Sequence, residues 1–287
     1  MSPVPPRIIA LVVLGLCVSA IAGCGGSASL APTPSVTSPV TPSAQNPPPP
    51  SSGSTAGSTA PPTVPTNPAP PAPSPGPANP TGTTIGNIEQ MPGWESCDTC
   101  SGGGQISYSM SLNYPQPGTT QFSIGRGDSW AHALWWKRLG NDASPSHFVL
   151  SLDQSLDNPD ASFGIEYDAN QIVGGEWYDF AIQCSFGYGI WQVWDDASQK
   201  WVPTSVPCVR PAPSAHIQLR LEFERSNGQA QFVSIGTNGS VVPVNMAFNP
   251  QPITGASGDF GVHIQLNSNA NPDAYSVWVH NLTLTYW

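Results

Sequence analysis

From residue 216 the chain reads HIQLRLEFER, and the alternation runs without a break. Ile217, Leu219, Leu221 and Phe223 interleave with Gln218, Arg220, Glu222 and Glu224. Successive side chains of a strand point to opposite faces, so this segment has one apolar face and one wet face. The same period recurs in ISYSMSLN (106–113), HFVLSLDQ (147–154), EWYDFAIQCSF (176–186) and GDFGVHIQLN (258–267), with Gly, Pro, Asn and Asp between the runs. No segment beyond residue 85 shows a helical period. About a dozen half-apolar strands need a second sheet to cover them, and two stacked sheets of about six strands suit some 200 residues. The expected fold class is an all-β two-sheet sandwich spanning 85–287.

The chain ahead of that body has another character. Arg7 precedes the apolar run IIALVVLGLCVSAIAG, which is short for a membrane span and suits a signal peptide. It ends in Ile21-Ala22-Gly23-Cys24, which resembles a bacterial lipobox. The resemblance implies cleavage after residue 23 and lipid on Cys24, so the chain is expected to be exported and held to the cell envelope by that anchor alone. Glycine rather than aspartate at residue 25 points to the outer membrane or cell surface. Residues 25–84 then hold 18 of the 34 prolines and no Asp, Glu, Lys or Arg. Such a tract cannot bury enough apolar surface to offset chain entropy, and it is expected to be a disordered spacer. Seven of the eight basic residues face all 18 acidic ones in the remainder. That balance argues against nucleic acid as a partner.

Setting aside Cys17 and Cys24, four cysteines remain, an even number in an exported chain. Of three possible pairings, Cys97–Cys100 and Cys184–Cys208 are favoured. The C-x-x-C spacing has no thioredoxin-like context, and the second pair lacks zinc-knuckle spacing, so neither a redox nor a zinc role is expected.

The strand HFVLSLD, the turn DNPD, the strand IEYD, the segment WQVWD with Trp201 downstream, the pair LRLEFER and QFVSI, and the closing VHNLTLTYW together resemble the concanavalin A-like lectin/glucanase superfamily. In layout the chain is similar to laminin-G-like jelly rolls of bacterial surface proteins. The resemblance implies a jelly roll with one concave polar sheet face. It also directs attention to FGIEYDAN (163–170), where Glu166, Asp168 and Asn170 alternate with apolar residues. Family 16 glycoside hydrolases carry E-x-D-x-(x)-E on such a strand. Glu166 matches the nucleophile and Asp168 the assisting aspartate, but the acid/base position falls on Asn170 or Gln171. An amide cannot supply the proton that a leaving group needs. No catalytic residue is therefore assigned. The lyases of the superfamily fit less well still, because His263-Ile264-Gln265 inverts their Q-I-H strand and the arginine-rich strand is missing.

The leading expectation is carbohydrate binding without catalysis, through Glu166, Asp168, Asn170, Trp177, Gln183, His263 and Gln265. Carboxylates and amides can hydrogen-bond sugar hydroxyls, and tryptophan can stack on a pyranose ring. The alternatives are a surface protein-interaction or structural module and, behind it, hydrolysis or lyase chemistry. No cofactor is expected. Structural calcium is conceivable at Asp153, Asp157 and Asp160, although their spacing does not match a dedicated loop.

Overall fold

A computed structural model describes residues 82–99, 104–254 and 258–287. Cys24, the proline-rich tract and Cys100 lie outside the described residues. In chain order the strands are β1 (Thr83–Ile85), β2 (Glu95–Cys97), β3 (Ile106–Leu112), β4 (Thr119–Gly127), β5 (His132–Asn141) and β6 (His147–Leu156). Next come β7 (Ser162–Val173), β8 (Glu176–Ser185), β9 (Ile190–Asp195), β10 (Lys200–Pro207) and β11 (Ile217–Ser226). The last are β12 (Gln229–Thr237), β13 (Ser240–Phe248), β14 (Gln251–Pro252), β15 (Asp259–Ser268) and β16 (Tyr275–Tyr286). A single turn of 3-10 helix, Ile88–Gln90, is the only helix among the described residues.

The strands form two antiparallel eight-stranded sheets. One runs β13-β12-β11-β6-β16-β4-β3, with β1 added beside β16. The other runs β10-β9-β8-β7-β15-β5-β2, with β14 beside β8. The sheets hold more than the expected six strands each because β1, β2 and β14 contribute only three, three and two residues, too few to display a period. This is the all-β two-sheet sandwich that the alternation implied. The alternation decides the inside of the sandwich. Phe148, Phe223 and Phe232 of the first sheet meet Phe180 of the second, with ring centroids 5.5–6.4 Å from it. Phe122 likewise stands edge-on to Trp135 across the sheets at 5.4 Å.

Two-residue hairpins set the registers. Asn227-Gly228 and Asn238-Gly239 turn β11 into β12 and β12 into β13, all four residues having positive φ. Gly174-Gly175 does the same between β7 and β8, at φ 64° and 83°. Turns of this handedness match the twist of the flanking strands and require left-handed backbone, which glycine and asparagine tolerate.

Cys184 of β8 is bonded to Cys208, 24 residues on, as expected. Cys97 is also disulfide-bonded. The 184–208 bridge ties β8 to the chain leaving β10, and closing a loop of that length contributes about 3 kcal/mol in the chain-entropy account. A Cys184→Ser/Cys208→Ser variant is expected to melt about 6–10 °C lower than the parent in thermal unfolding. An unchanged melting temperature would show that the bridge does not restrain the unfolded chain.

Candidate functional site

On β7, Ile165 and Tyr167 turn into the core, and the residues between them, Glu166, Asp168 and Asn170, turn away from it. The Gly174-Gly175 hairpin and the long pairing with β15 fix their neighbours. Gln265, Glu166, Gln183 and Gln192 form one row across β15, β7, β8 and β9. Trp136, His263, Asp168 and Ala181 form a second across β5, β15, β7 and β8. In a third, Asn170 stands opposite Asp179. A fourth row runs His132, Asn267, Gly164, Ser185. Six of the seven expected site residues thus meet on three adjacent strands. Trp177 shares their face of β8 but lies at its end, opposite Gln251 of β14, and is 6% exposed. The partly exposed tryptophans on this face are Trp136, Trp194 and Trp201, and the rings of the last two lie 5.3 Å apart.

The face points away from the apolar core, yet it is withdrawn from solvent. Asp168 is 2% exposed and Asp179 8% exposed. Buried polar groups normally find partners, and several do here. Asn170 Nδ2 donates to His263 Nε2 at 2.6 Å, so the ring carries its proton on Nδ1 and donates it to Asp168 Oδ2 at 3.2 Å. Gln265 Nε2 donates to Glu166 Oε2 at 2.7 Å and to Asn267 Oδ1 at 3.0 Å. The Gln183 amide lies over Gly164, where a Cβ would come within 2.8 Å of its Nε2. Of the seven buried side-chain atoms with no hydrogen-bond partner among the described residues, five are Asp168 Oδ1, Asp179 Oδ1, Ser185 Oγ, Asn267 Nδ2 and His132 Nε2. All five belong to this one face.

Its electrostatics follow from burying several carboxyls together. Burial, and then the charge of Asp168, holds Glu166 well above the usual carboxyl range. Burial does the same to Asp179, reinforced by Asp168, Asp196 and Glu166. Asp196, whose Oδ1 accepts from Trp194 Nε1 at 3.1 Å, is pushed up to about 7, chiefly by burial. Burial lowers His132, which favours the neutral ring. Burial thus favours the protonated form of these carboxyls, which can donate, beside oxygens that can accept.

Gln171, the other residue weighed for the acid/base position, is buried and turned away. Its Nε2 donates to the Pro145 carbonyl at 3.0 Å, and its Oε1 accepts from Arg225 Nε at 3.1 Å. The three aspartates considered for calcium do not converge. Asp153 accepts from Asn281 Nδ2, Asp157 accepts the Ser276 N–H, and Asp160 pairs with Arg210.

The alternation of EWYDFAIQCSF and GDFGVHIQLN also puts Asp179 and Asn267 on the polar faces of their strands, although neither is among the expected site residues, and Gln192 and Asp196 were not expected. For Asp179 the signal was present. A two-glycine hairpin between Val173 and Glu176 counts back to Asn170 opposite Asp179 and Glu166 opposite Gln183.

No family model matches the chain, and no curated protein sequence matches it. Among solved structures it is similar to arcelin-5, a lectin-like defense protein from Phaseolus vulgaris, with TM-score 0.44, 8% identity, and 72% of this chain and 99% of that one covered. It is also similar to the lectin UEA-II complexed with galactose, with TM-score 0.41, 9% identity, and 71% and 98% covered. A prokaryotic beta-1,3-1,4-glucanase (lichenase) derived from a mouse hindgut metagenome has TM-score 0.40 and 12% identity, with 71% and 98% covered. The likeness to all three is one of overall fold.

Proposed function

We propose that this chain binds carbohydrate without transforming it, through the recessed polar face of β15, β7, β8 and β9, as an exported protein tethered through Cys24. The observation that carries this reading is the cluster of unpartnered buried polar atoms on a face that also presents tryptophans. Leaving such atoms without partners costs about 1–3 kcal/mol each, and a sugar satisfies them economically, because every hydroxyl both donates and accepts. Asp168 Oδ1 and Asp179 Oδ1 offer acceptors, Asn267 Nδ2 a donor, and Ser185 Oγ either. Trp136 on one side and Trp194 with Trp201 on the other offer ring faces to the C–H surface of a pyranose.

The test is electrophoresis of the protein through gels containing a panel of neutral and acidic polysaccharides, beside a Glu166→Gln/Asp168→Asn variant. Retardation in one polysaccharide, abolished in the variant, is the expected result. Equal mobility in every gel would overturn the reading.

One observation favours hydrolysis as a second reading. Asp179, on the neighbouring strand and opposite Asn170, is a carboxyl whose burial favours the protonated form, of the kind that the glucanase-like strand lacks at that position. Release of new reducing ends from a retained polysaccharide, lost in Asp179→Asn, would replace the binding reading with this one.

A further inference from the structure

The other sheet carries a second cluster, on its own solvent side. Asp153 of β6 and His280 of β16 are register partners, and each follows a core residue, Leu152 and Val279. His216, exposed just ahead of β11, stands diagonal to Asp153, whose direct partner on that strand is Gln218. The two imidazole Nε2 atoms lie 2.9 Å apart, and His280 Nε2 lies 3.8 Å from Asp153 Oδ2. The three donor atoms all fall within 4.8 Å of one another.

We infer that Asp153, His216 and His280 form a binding site for a divalent transition-metal ion of the zinc class. Two imidazoles and one carboxylate are a donor set for zinc and its neighbours, whereas calcium and magnesium take oxygen ligands. Around a tetrahedral ion with bonds of about 2.0–2.1 Å, neighbouring ligand atoms sit about 3.3 Å apart. The observed 2.9 and 3.8 Å bracket that spacing, and rotation of the exposed His216 ring can lengthen the shorter one. Without a cation only one of the two facing Nε2 atoms can carry a proton toward the other. A metal between them uses both lone pairs.

The supporting shell is also built. Asn281 Nδ2 donates to Asp153 Oδ2 at 2.7 Å, which orients the carboxylate in the way that second-shell partners orient metal ligands. Asn281 is left-handed, at φ 55°, in an irregularity of β16 where the register against β6 shifts between His280 and Thr283. Bulges re-aim side chains in this manner. Three protein ligands leave a coordination position for water or for an outside donor.

The test is calorimetric titration of zinc ion into chelator-treated full-length protein near neutral pH. One ion per chain is expected, and a His216→Ala/His280→Ala variant should bind at least about tenfold more weakly. His216→Ala alone should show a loss in the same direction, and because that ring is exposed, folding is not at stake. The melting temperature of the parent, but not of the double variant, should rise with zinc. No zinc binding by the parent, or a loss in the double variant smaller than tenfold, overturns the proposal. Binding of calcium in preference to zinc overturns it equally.

Discussion

Glu89→Ala is expected to cost about 4 kcal/mol and to lower the melting temperature by about 10 °C. Glu89 is 0% exposed, although it belongs to a three-residue 3-10 turn near the start of the described domain. Its carboxylate reaches the last strand, accepting the N–H of Asn281 at 3.1 Å and that of Leu282 at 3.0 Å. Those two N–H groups lie where β16 departs from its register with β6, so the ladder leaves them to a side chain. Burial raises the Glu89 carboxyl above its ordinary range while the backbone donors pull it back, as expected when a charge is held inside only by what it binds. Alanine removes both acceptors and leaves two enclosed donors unpaired. Glutamine keeps one acceptor oxygen and turns an NH2 toward the other donor, so Glu89→Gln should lose about half as much. Thermal unfolding of the three proteins checks this order. A Glu89→Ala protein that melts within about 2 °C of the parent would mean that water reaches both N–H groups. The same residue holds the backbone of Asn281, which follows His280 and orients Asp153, so zinc affinity should weaken in Glu89→Ala but not in the disulfide variant.

The core was legible because it rests on local alternation. Phe180, Ile182, Leu219, Leu221, Val262 and Ile264 all occupy the interior that their parity assigned. Glu89 was not legible, because nothing within three residues of it reveals that it will meet residues 281 and 282. The site divides in the same way. That Glu166, Asp168 and Asn170 share a face is a property of one strand. That Gln183 and Asp179 stand beside them follows from one glycine hairpin. That His263 pairs with Asp168 follows from neither, since some ninety residues separate them and β15 enters between β7 and β5 only through the sandwich topology. Scanning along β7 finds amides at 170 and 171, whereas the carboxyl opposite Asn170, that of Asp179, stands on the adjacent strand. The clustering of Asp153 with two histidines likewise depends on three strands that are distant in sequence.

The buried carboxyls make the stability of the protein depend on pH, and in an unusual direction. Asp196 holds its proton up to about pH 7 in the folded chain, whereas the unfolded chain releases it near about pH 4. Between those values the folded state binds more protons than the unfolded one, so stability is fully present below about pH 4 and is lost as pH rises through 7. Asp179 and Glu166, both raised well above their ordinary range by burial and by neighbouring charge, act with the same sign. Most proteins with ion-paired carboxylates behave in the opposite way and gain stability as these groups ionise. An Asp179→Asn/Asp196→Asn variant should therefore be more stable than the parent at about pH 8, by a figure on the order of 4 kcal/mol for the Asp196 gap alone, at about 1.4 kcal/mol per pH unit. Asparagine keeps the Oδ1 that accepts from Trp194 Nε1, so the substitution removes the charge and little else. Melting curves of both proteins at about pH 5 and about pH 8 should show a steep decline for the parent and a shallow one for the variant. Parallel declines would mean that these carboxyls are ionised in the folded state. In that event the carboxyls of the recess would act as acceptors alone, and a ligand would have to meet them with donors.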